Sequence, residues 1–209
     1  RRPGRACRFG LLLLWASALA SANGITNGDF SNGLAGWTVT SGTVTDGGGH
    51  ALLAEDAAVL LSSIEQQFVM PEGISKLAFY HEMVSAVDPG EPTGDPADAF
   101  LASLLDAATL TPILSTQPWL TDFFYLDDTG FMDFDPAIVT VSGGLVTLDL
   151  TSVMALIQGT QVILAFDLLG FYDGTATQVR VDNVALIPEP ATLTLLALGG
   201  LGLLHRRRR

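Results

Sequence analysis

The side chains of this chain that could do chemistry are almost all carboxylates. Between residues 23 and 187 the sequence has 21 acidic residues against two basic ones, Lys76 and Arg180, which is a formal charge of −19. Carboxylates bind divalent cations, and pairs of them hydrolyse glycosides. A field of this sign repels nucleic acid and anionic membrane surfaces. The composition therefore argues against a nucleic-acid partner and favours divalent cations.

Two loop-like segments concentrate the carboxylates. The first contains Asp88, Glu91, Asp95 and Asp98, and the second contains Asp127, Asp128, Asp133 and Asp135 around Gly130. Neither has the spacing of an EF-hand, which needs oxygen ligands at alternate positions before a glycine. We expect both segments to be solvated surface loops, with cation binding as the alternative.

Catalytic motifs are incomplete in this sequence. His81-Glu82-Met83-Val84-Ser85 begins like the zinc-protease motif, but Ser85 stands where the second histidine is needed and the segment reads as a strand instead of a helix. The single cysteine, Cys7, lies near the N-terminus, and a Gly-x-Ser-x-Gly elbow and a phosphate loop are lacking. We predict that the protein is not an enzyme. A carboxylate pair acting on polysaccharide is the alternative.

Aromatic side chains near the second acidic segment could bind sugar. They are Trp119, Phe123, Phe124, Tyr125 and Phe131. On a strand, Phe123 and Tyr125 would face one side and Phe124 the other, so part of this group is expected in the core, as is Trp37. Trp119 is the predicted ligand-binding residue.

Short apolar runs separated by turn residues predict an all-β fold. The expected strands are Trp37–Thr40, Ala51–Ala54, Val59–Leu61, Ile64–Val69, Leu77–Val84, Ala99–Leu105, Asp122–Leu126, Ile138–Val141, Leu145–Leu150, Gln161–Leu169 and Gln178–Ile187. In the last of these, alternation places Val179, Val181, Asn183 and Ala185 on one face. A helical turn is expected only at Ser152–Gln158. The number of strands predicts a β-sandwich of one domain.

The N-terminal residues 1–22 have the order of a secretory signal peptide. Arg1, Arg2, Arg5 and Arg8 precede an apolar run, which small residues follow. Cleavage after Ala22 is favoured, with Ala20 as the alternative. We predict an N-terminal signal helix that directs export and is removed.

The C-terminal residues 187–209 combine three parts in order. Pro188-Glu189-Pro190 is followed by the uncharged run Ala191–Leu204 and then by Arg206, Arg207, Arg208 and Arg209. Arginines stay on the cytoplasmic side of a bilayer, so they would halt the chain with its bulk outside. The apolar run has 14 residues, and a relaxed span needs about 20. The short helix favours temporary membrane contact over permanent anchoring, with an ordinary membrane helix as the alternative.

This arrangement resembles the PEP-CTERM sorting segment of Gram-negative bacteria. The resemblance implies that an exosortase, a membrane protease-transferase, recognises the motif during export and releases or transfers the protein to the cell surface. The chain would pass through an inner-membrane intermediate. The family is associated with bacteria that make exopolysaccharide, which is a possible partner.

Two further segments resemble the galactose-binding-like jelly roll. Asn27-Gly28-Asp29-Phe30, with Gly36-Trp37 after it, is similar to the opening of that fold, and Val181-Asp182-Asn183-Val184 is similar to its closing strand. The resemblance implies a jelly-roll β-sandwich over residues 23–186. It also implies a structural calcium held by Asp29 and Asp182 with the carbonyl of Asn27 or Gly28. Ser31 departs from the glutamate that often follows the phenylalanine, and the alternative is that both aspartates only form turns.

The function predicted from these features is an exported, non-catalytic protein of the cell surface or extracellular matrix. A carbohydrate-binding module is the alternative, and an extracellular polysaccharide-active enzyme is disfavoured.

Overall fold

The protein folds into a sandwich of two antiparallel β-sheets. A computed structural model describes residues 24–56, 58–85, 97–115, 120–171 and 177–189. The predicted signal helix and the C-terminal apolar run lie outside these residues. Within them, no helix has the length and apolar character that a bilayer span requires.

The first sheet, called sheet I, has seven strands. In spatial order they are β1 (Thr38–Ser41), β4 (Leu61–Val69), β12 (Gln161–Leu169), β6 (Ala99–Asp106), β8 (Asp122–Asp127) and β9 (Met132–Asp133), with β7 (Pro112–Leu114) also paired to β6. The long central strands β4, β12 and β6 pair over eight or nine registered positions each. Their inward-facing side chains form the sheet I side of the core.

The second sheet, called sheet II, has six strands. In spatial order they are β10 (Val139–Ser142), β11 (Leu145–Asp149), β5 (Ile74–Val84), β13 (Gln178–Pro188), β3 (Ala51–Ala54) and β2 (Thr43–Asp46). A single helical turn, α1 (Met154–Ile157), precedes β12. The chain crosses from sheet to sheet at β4, β5 and β6 and again at β11, β12 and β13, as in a jelly roll. The predicted all-β sandwich is confirmed.

The centre of the core is a group of phenylalanine rings that joins the two sheets. Phe79 of β5 meets Phe166 of β12 at 4.9 Å between ring centroids and Phe124 of β8 at 6.2 Å, both edge to face. Trp37 is buried, as predicted, and it stacks on Phe30 at 5.2 Å. Such ring pairs contribute roughly 0.5–1.5 kcal/mol each beyond the burial of their surface.

The alternation predicted for β13 holds only in its first half. Val179 and Val181 are fully buried, but the next buried residue is Val184, while Asn183 and Ala185 are exposed. The pairing with β5 shifts register between Asp182 and Ala185, and Asn183 adopts a φ of 52°. A bulge of this kind adds a residue to one strand and reverses which side chains face inward.

A second bulge corrects the prediction for Phe123 and Phe124. The two rings were expected on opposite faces, but both are fully buried and both contact Phe79. In the pairing of β6 with β8, Ala102 is opposite Phe124 and Ser103 is opposite Asp122. Phe123 is therefore the extra residue, and the irregular backbone turns two consecutive rings into the core.

Three strands were missed by the sequence reasoning, namely β2, β7 and β9. Each is two to four residues long, and each lies at or beside a sheet edge. β7 and β9 are too short to show a period of two, and β2 has only one apolar residue, Val44. The predicted strand Val59–Leu61 is reduced to an isolated bridge between Asp56 and Val59, after which β4 begins at Leu61.

Candidate functional site

The two segments that carry the jelly-roll resemblance lie against each other. The main-chain N–H of Val184 donates to the carbonyl oxygen of Gly28 at 2.9 Å. A Cβ on Gly28 would stand 2.0 Å from the Val184 oxygen, so this contact requires a glycine. The loop of residues 26–36, which we call the opening loop, is thereby held on the bulged half of β13.

The two predicted calcium ligands have hydrogen-bond partners within their own turns. Asp29 is exposed, and its Oδ1 accepts from the main-chain N–H of Ser31 at 3.2 Å and from its hydroxyl at 3.0 Å. These bonds hold the pKa of Asp29 below its usual value. Asp182 accepts from the main chain of Asn183 at 2.6 Å and from its side-chain amide at 2.9 Å.

The carbonyl oxygens proposed as further ligands also accept hydrogen bonds. The Asn27 oxygen accepts from Phe30 at 3.1 Å and from the Trp37 ring N–H at 3.2 Å, while that of Gly28 accepts from Val184. Within the described ranges, no group of three or more acidic, histidine or cysteine side chains is arranged to hold a metal ion. A cation at Asp29 and Asp182 would have to share oxygens that already serve the loop, and calcium stays a prediction.

The opening loop is held to the sandwich by Gln66 of β4, which is buried. Its Oε1 accepts from the main-chain N–H of Thr26 at 2.7 Å, and its Nε2 donates to the oxygens of Thr26 and Gly36 at 2.9 Å each. One amide thus bonds to both ends of the loop. Because every contact is made to main chain, the sequence shows no partner motif that could have revealed it.

Asp98 corrects the prediction for the first acidic segment. It was expected in a solvated loop but is fully buried. Its Oδ1 accepts from the main-chain N–H of Phe171 at 2.7 Å, and its Oδ2 accepts from the hydroxyl of Thr177. Asp98 therefore joins the two chain ends that flank residues 172–176. Asp88, Glu91 and Asp95 lie outside the described residues.

The second acidic segment matches the predicted solvated loop only in part, because Asp127, Asp128 and Asp133 are half-buried, and Asp127 and Asp133 lie in β8 and β9. Asp127 Oδ1 accepts from the main chain of Thr129 at 3.0 Å and of Phe131 at 2.9 Å. Asp135 similarly accepts from Ala137 at 2.9 Å. Aspartate favours such positions because its side chain can bond to the main chain two residues ahead. Trp119, the predicted ligand-binding residue, lies outside the described residues.

A cavity opens at one end of the sandwich where β5 runs past the turn between β10 and β11. It has a volume of about 340 Å³ and is lined by Tyr80, His81, Met83, Ser85, Leu126 and the Gly143–Gly144 turn, with Glu82, Asp127, Asp128 and Gly130 completing the wall. We call it the His81 cavity. Sequence reasoning dismissed His81 as part of a false protease motif and did not identify this site.

His81 lies among aromatic rings at the inner wall of the cavity. It is 6% exposed, and its ring centroid is 5.1 Å from that of Phe124 and 5.8 Å from that of Phe100. Neither Nδ1 nor Nε2 has a hydrogen-bond partner among the described residues. Burial lowers the pKa of His81 to about 4, so the imidazole is neutral at physiological pH.

A chain of hydroxyl groups leads from the cavity wall to Asp98. The Oγ atom of Ser85 lies 3.2 Å from the Thr177 hydroxyl, which donates to Asp98. A hydroxyl has one proton to donate, so Ser85 is the donor in its bond to Thr177. The lone pairs of Ser85 are then its remaining capacity for a ligand.

Two carboxyl groups in sheet I, Asp122 and Asp167, have raised pKa values. Burial is the main cause for both, with Asp133 and Asp167 adding repulsion at Asp122 and Glu65 adding it at Asp167. The Oδ2 atom of Asp122 is buried and has no hydrogen-bond partner among the described residues. These are the groups that would matter to the glycosidase alternative, because a general acid needs a raised pKa.

The sorting motif begins inside the last strand. Ile187 is paired with Lys76 and Pro188 with Ile74 of β5, and the N–H of Glu189 donates to the Gly73 oxygen at 2.8 Å. The strand on the other side, β3, pairs with β13 only from Gln178 to Val181. Proline, which lacks an N–H, is tolerated at such an edge. Pro190 and Arg206 to Arg209 lie outside the described residues.

Comparison with solved structures found distant similarities. The enzymatically active domain of tailspike protein 4 from bacteriophage CBA120 aligns with a TM-score of 0.40 and 13% identity, over 80% of this chain and 22% of that one. A carbohydrate-binding module specific for non-crystalline cellulose aligns with a TM-score of 0.38 and 12% identity, over 79% and 96%. The chain thus spans less than a quarter of the tailspike structure.

Comparison with curated proteins found no match. Comparison with sequence families found one at the C-terminus, over residues 186–209, to the family described as the PEP-CTERM protein-sorting motif. The predicted sorting signal is confirmed. The chain therefore carries the PEP-CTERM motif of an exported protein that an exosortase sorts to the cell surface.

Proposed function

We propose that this protein is a non-catalytic β-sandwich of the cell surface or extracellular matrix of a Gram-negative bacterium, processed by an exosortase at Pro188-Glu189-Pro190. The observation that carries the proposal is the sorting motif at residues 186–209. The N-terminal residues 1–22 supply the export signal, and the four terminal arginines hold the chain at the inner membrane until processing.

The charge distribution supports removal of both ends. Eight of the ten basic residues lie in residues 1–22 and 187–209, while 21 of the 22 acidic residues lie between them. Processing would release a strongly acidic domain, which is soluble and is repelled by anionic membrane surfaces. Membrane contact would then depend on the C-terminal segment and would end with its removal.

The attachment of the motif to β5 adds a requirement for processing. Pro188 is part of β13, and Glu189 is bonded to Gly73, so no flexible linker separates the folded domain from the first two motif residues. An enzyme that takes an extended substrate must detach these residues from β5. The cost is small, because this end of β13 has a strand partner on one side only among the described residues.

The sorting proposal is tested by expressing the full chain in two strains that differ only in an exosortase gene. With exosortase, the chain should appear outside the cell at a mass lowered by the C-terminal segment. Without it, the chain should stay in the membrane fraction. The double variant Pro188→Ala, Glu189→Ala should stay in the membrane in both strains, and Glu72→Ala, which changes an exposed glutamate beside Gly73, should behave as the natural chain. Identical location and mass in both strains would refute the proposal.

Absence of catalysis is part of the proposal and has its own test. The purified protein is incubated with neutral and acidic bacterial exopolysaccharides, and the release of reducing ends is followed. We expect no release above that of the heat-denatured protein. A clear rate that Asp122→Asn or Asp167→Asn abolishes would make the protein a glycoside hydrolase, since these are the carboxyl groups with raised pKa values.

Carbohydrate binding is the second candidate function. The observation that favours it is the His81 cavity, which combines apolar walls with the ring nitrogens of His81, unpaired among the described residues. Ligand sites in proteins typically have this combination. An exopolysaccharide partner at the cell surface would suit an exported protein.

A structural calcium at Asp29 and Asp182 remains a proposal. Titration calorimetry with calcium and melting curves with and without a chelator test it. If calcium binds, Asp29→Asn should weaken binding, while Asp106→Asn, a change at a half-buried aspartate at the end of β6, should not. No heat and no change in melting temperature would rule the ion out.

A further inference from the structure

We propose that the His81 cavity is a binding site for a neutral sugar residue, with His81 and Ser85 as hydrogen-bonding partners and Tyr80 at the mouth. This rests on the second candidate function above and assigns it to particular residues. Three features of the cavity carry the inference: its unpaired polar atoms, its charge and its shape.

The unpaired atoms of His81 match a hydroxyl-bearing ligand. A neutral imidazole has one N–H donor and one bare nitrogen acceptor. Both are buried without partners among the described residues, and leaving buried polar atoms unpaired is costly. A sugar hydroxyl both donates and accepts, so it can bond to either ring nitrogen whichever of the two carries the proton. Ser85 adds lone pairs to the same wall.

Main-chain groups of β5 provide further polar contacts. The N–H of His81 bonds to the Gly144 oxygen at 2.8 Å, and the register of β5 with β11 ends at Tyr80 opposite Leu145. On an antiparallel edge every second residue points its N–H and C=O the same way. The N–H and C=O groups of Met83 therefore point to the same side as those of His81, beyond the turn, where β11 is no longer paired with β5.

The charges around the cavity disfavour an anionic ligand. Asp127 and Asp128 lie on the sheet I side and repel anions, while Glu82 forms an ion pair with Arg180 at 3.0 Å. His81 does not offset the acidic charge, because its pKa is lowered to about 4. A metal ion is a poor alternative, since three convergent ligands of the required types are absent from the described residues.

The shape of the cavity suits a small ring. Its volume of about 340 Å³ is at the low end of the roughly 300–1,000 Å³ of small-molecule sites. Leu126 and Met83 provide apolar surface, and Tyr80 is 39% exposed at the mouth. Gly144 allows the Tyr80 ring to lie close, since a Cβ there would be 2.8 Å from it. Aromatic rings with a polar edge suit the apolar faces and hydroxyls of sugars.

The test is a titration followed by NMR. The full chain, labelled with ¹⁵N and purified in detergent, is titrated with D-glucose, D-galactose and D-mannose, and with D-glucuronate as the anionic match to D-glucose. The ring signals of His81 are assigned by their loss in His81→Phe. We expect at least one neutral sugar to shift them with a Kd of about 1 mM, and glucuronate to bind about tenfold more weakly.

Variants separate the cavity from the rest of the surface. In calorimetry, Tyr80→Ala should weaken binding about tenfold and His81→Phe should abolish it, while His50→Gln, which changes a histidine remote from the cavity lining, should leave it unchanged. If His81→Phe fails to fold, the His81 signals are assigned by elimination with His50→Gln and His205→Gln, and their shifts in the natural chain decide together with the Tyr80→Ala result. The proposal is overturned if no neutral sugar shifts the His81 signals or if glucuronate shifts them equally. Neither result bears on sorting, which is measured in cells.

Discussion

Two regions of the sandwich treat a buried polar side chain in opposite ways. Gln66, beneath the opening loop, makes three hydrogen bonds to main chain, which use both of its amide protons and one lone pair of Oε1. His81, at the cavity, has two ring nitrogens without partners among the described residues. A buried polar group that is fully bonded specifies the fold, whereas one left unpaired keeps its capacity for a ligand. The contrast explains why the first region is given a structural role and why the binding site is proposed at the second.

The largest expected effect comes from removing the Gln66 amide. Gln66→Ala leaves the main-chain groups of Thr26 and Gly36 without their partner and opens a gap beneath the loop. We expect the free energy of unfolding to fall by about 4 kcal/mol. Urea denaturation measures it. Gln67→Ala, at the next and exposed position of β4, should cost less than about 0.5 kcal/mol. Equal losses would show that Gln66 does not hold the loop.

The second prediction concerns the pH dependence that His81 causes. The folded protein keeps His81 neutral down to a pKa of about 4, while in the unfolded chain its pKa is near 6.5. Because the unfolded state binds the proton first, this stability is present above pH 6.5 and is lost as the pH falls toward 4. The loss should be about 3 kcal/mol.

His81→Phe isolates this contribution, because the carboxyl groups titrate in both proteins. Relative to the natural chain, the variant should gain stability steadily from pH 7 to pH 4, as measured by urea denaturation at each pH. His50→Gln is the control and should follow the natural chain. A difference that does not change with pH would mean that His81 can be protonated in the folded state and would weaken the case for a neutral cavity.

The third prediction tests the link between Asp98 and the cavity. Asp98 accepts one hydrogen bond from Phe171 and one from Thr177. Asparagine has a single side-chain oxygen, so Asp98→Asn keeps one of these two bonds and loses the other. We expect a loss of about 2 kcal/mol in the free energy of unfolding. Since Thr177 bonds to Ser85, sugar binding at the cavity should also weaken. Stability lowered with binding intact would show that the hydroxyl chain does not position Ser85.

The smallest effect is expected at Asp122, and its sign is favourable. Burial raises the pKa of Asp122, so the ionised carboxylate opposes folding at neutral pH and this penalty vanishes as the pH falls and the group is protonated. Asp122→Asn should raise the melting temperature at pH 7 by about 2–4 °C. The gain should shrink at pH 4. Asp106 is the control, because hydrogen bonds from Thr109 lower its pKa. Asp106→Asn should therefore give no gain in melting temperature.

Much of the fold followed from local patterns. The strand Ala51–Ala54 and the long strand Gln161–Leu169 have the predicted bounds, because their apolar residues occur in short runs that are typical of buried strands. The bulges at Phe123 and Asn183 could not be predicted, since a bulge depends on the register with the neighbouring strand. Side-chain facing was therefore wrong in those two places.

The sites were less predictable than the fold. Asp98 has the same chemical character as the exposed aspartates, yet it bonds to Thr177, which is 79 residues away. His81 was judged by its neighbours in sequence, whereas its surroundings are rings from β6 and β8. No local pattern carries either contact.

The sequence alone determined the sorting signal, the acidic character and the all-β class of this protein. These depend on residue order and composition, which a linear pattern records. The tertiary structure decided which polar groups are buried, which of them are paired, and where a cavity remains. Burial and pairing arise from long-range strand register, and a one-residue shift in register changes which side chain meets which partner.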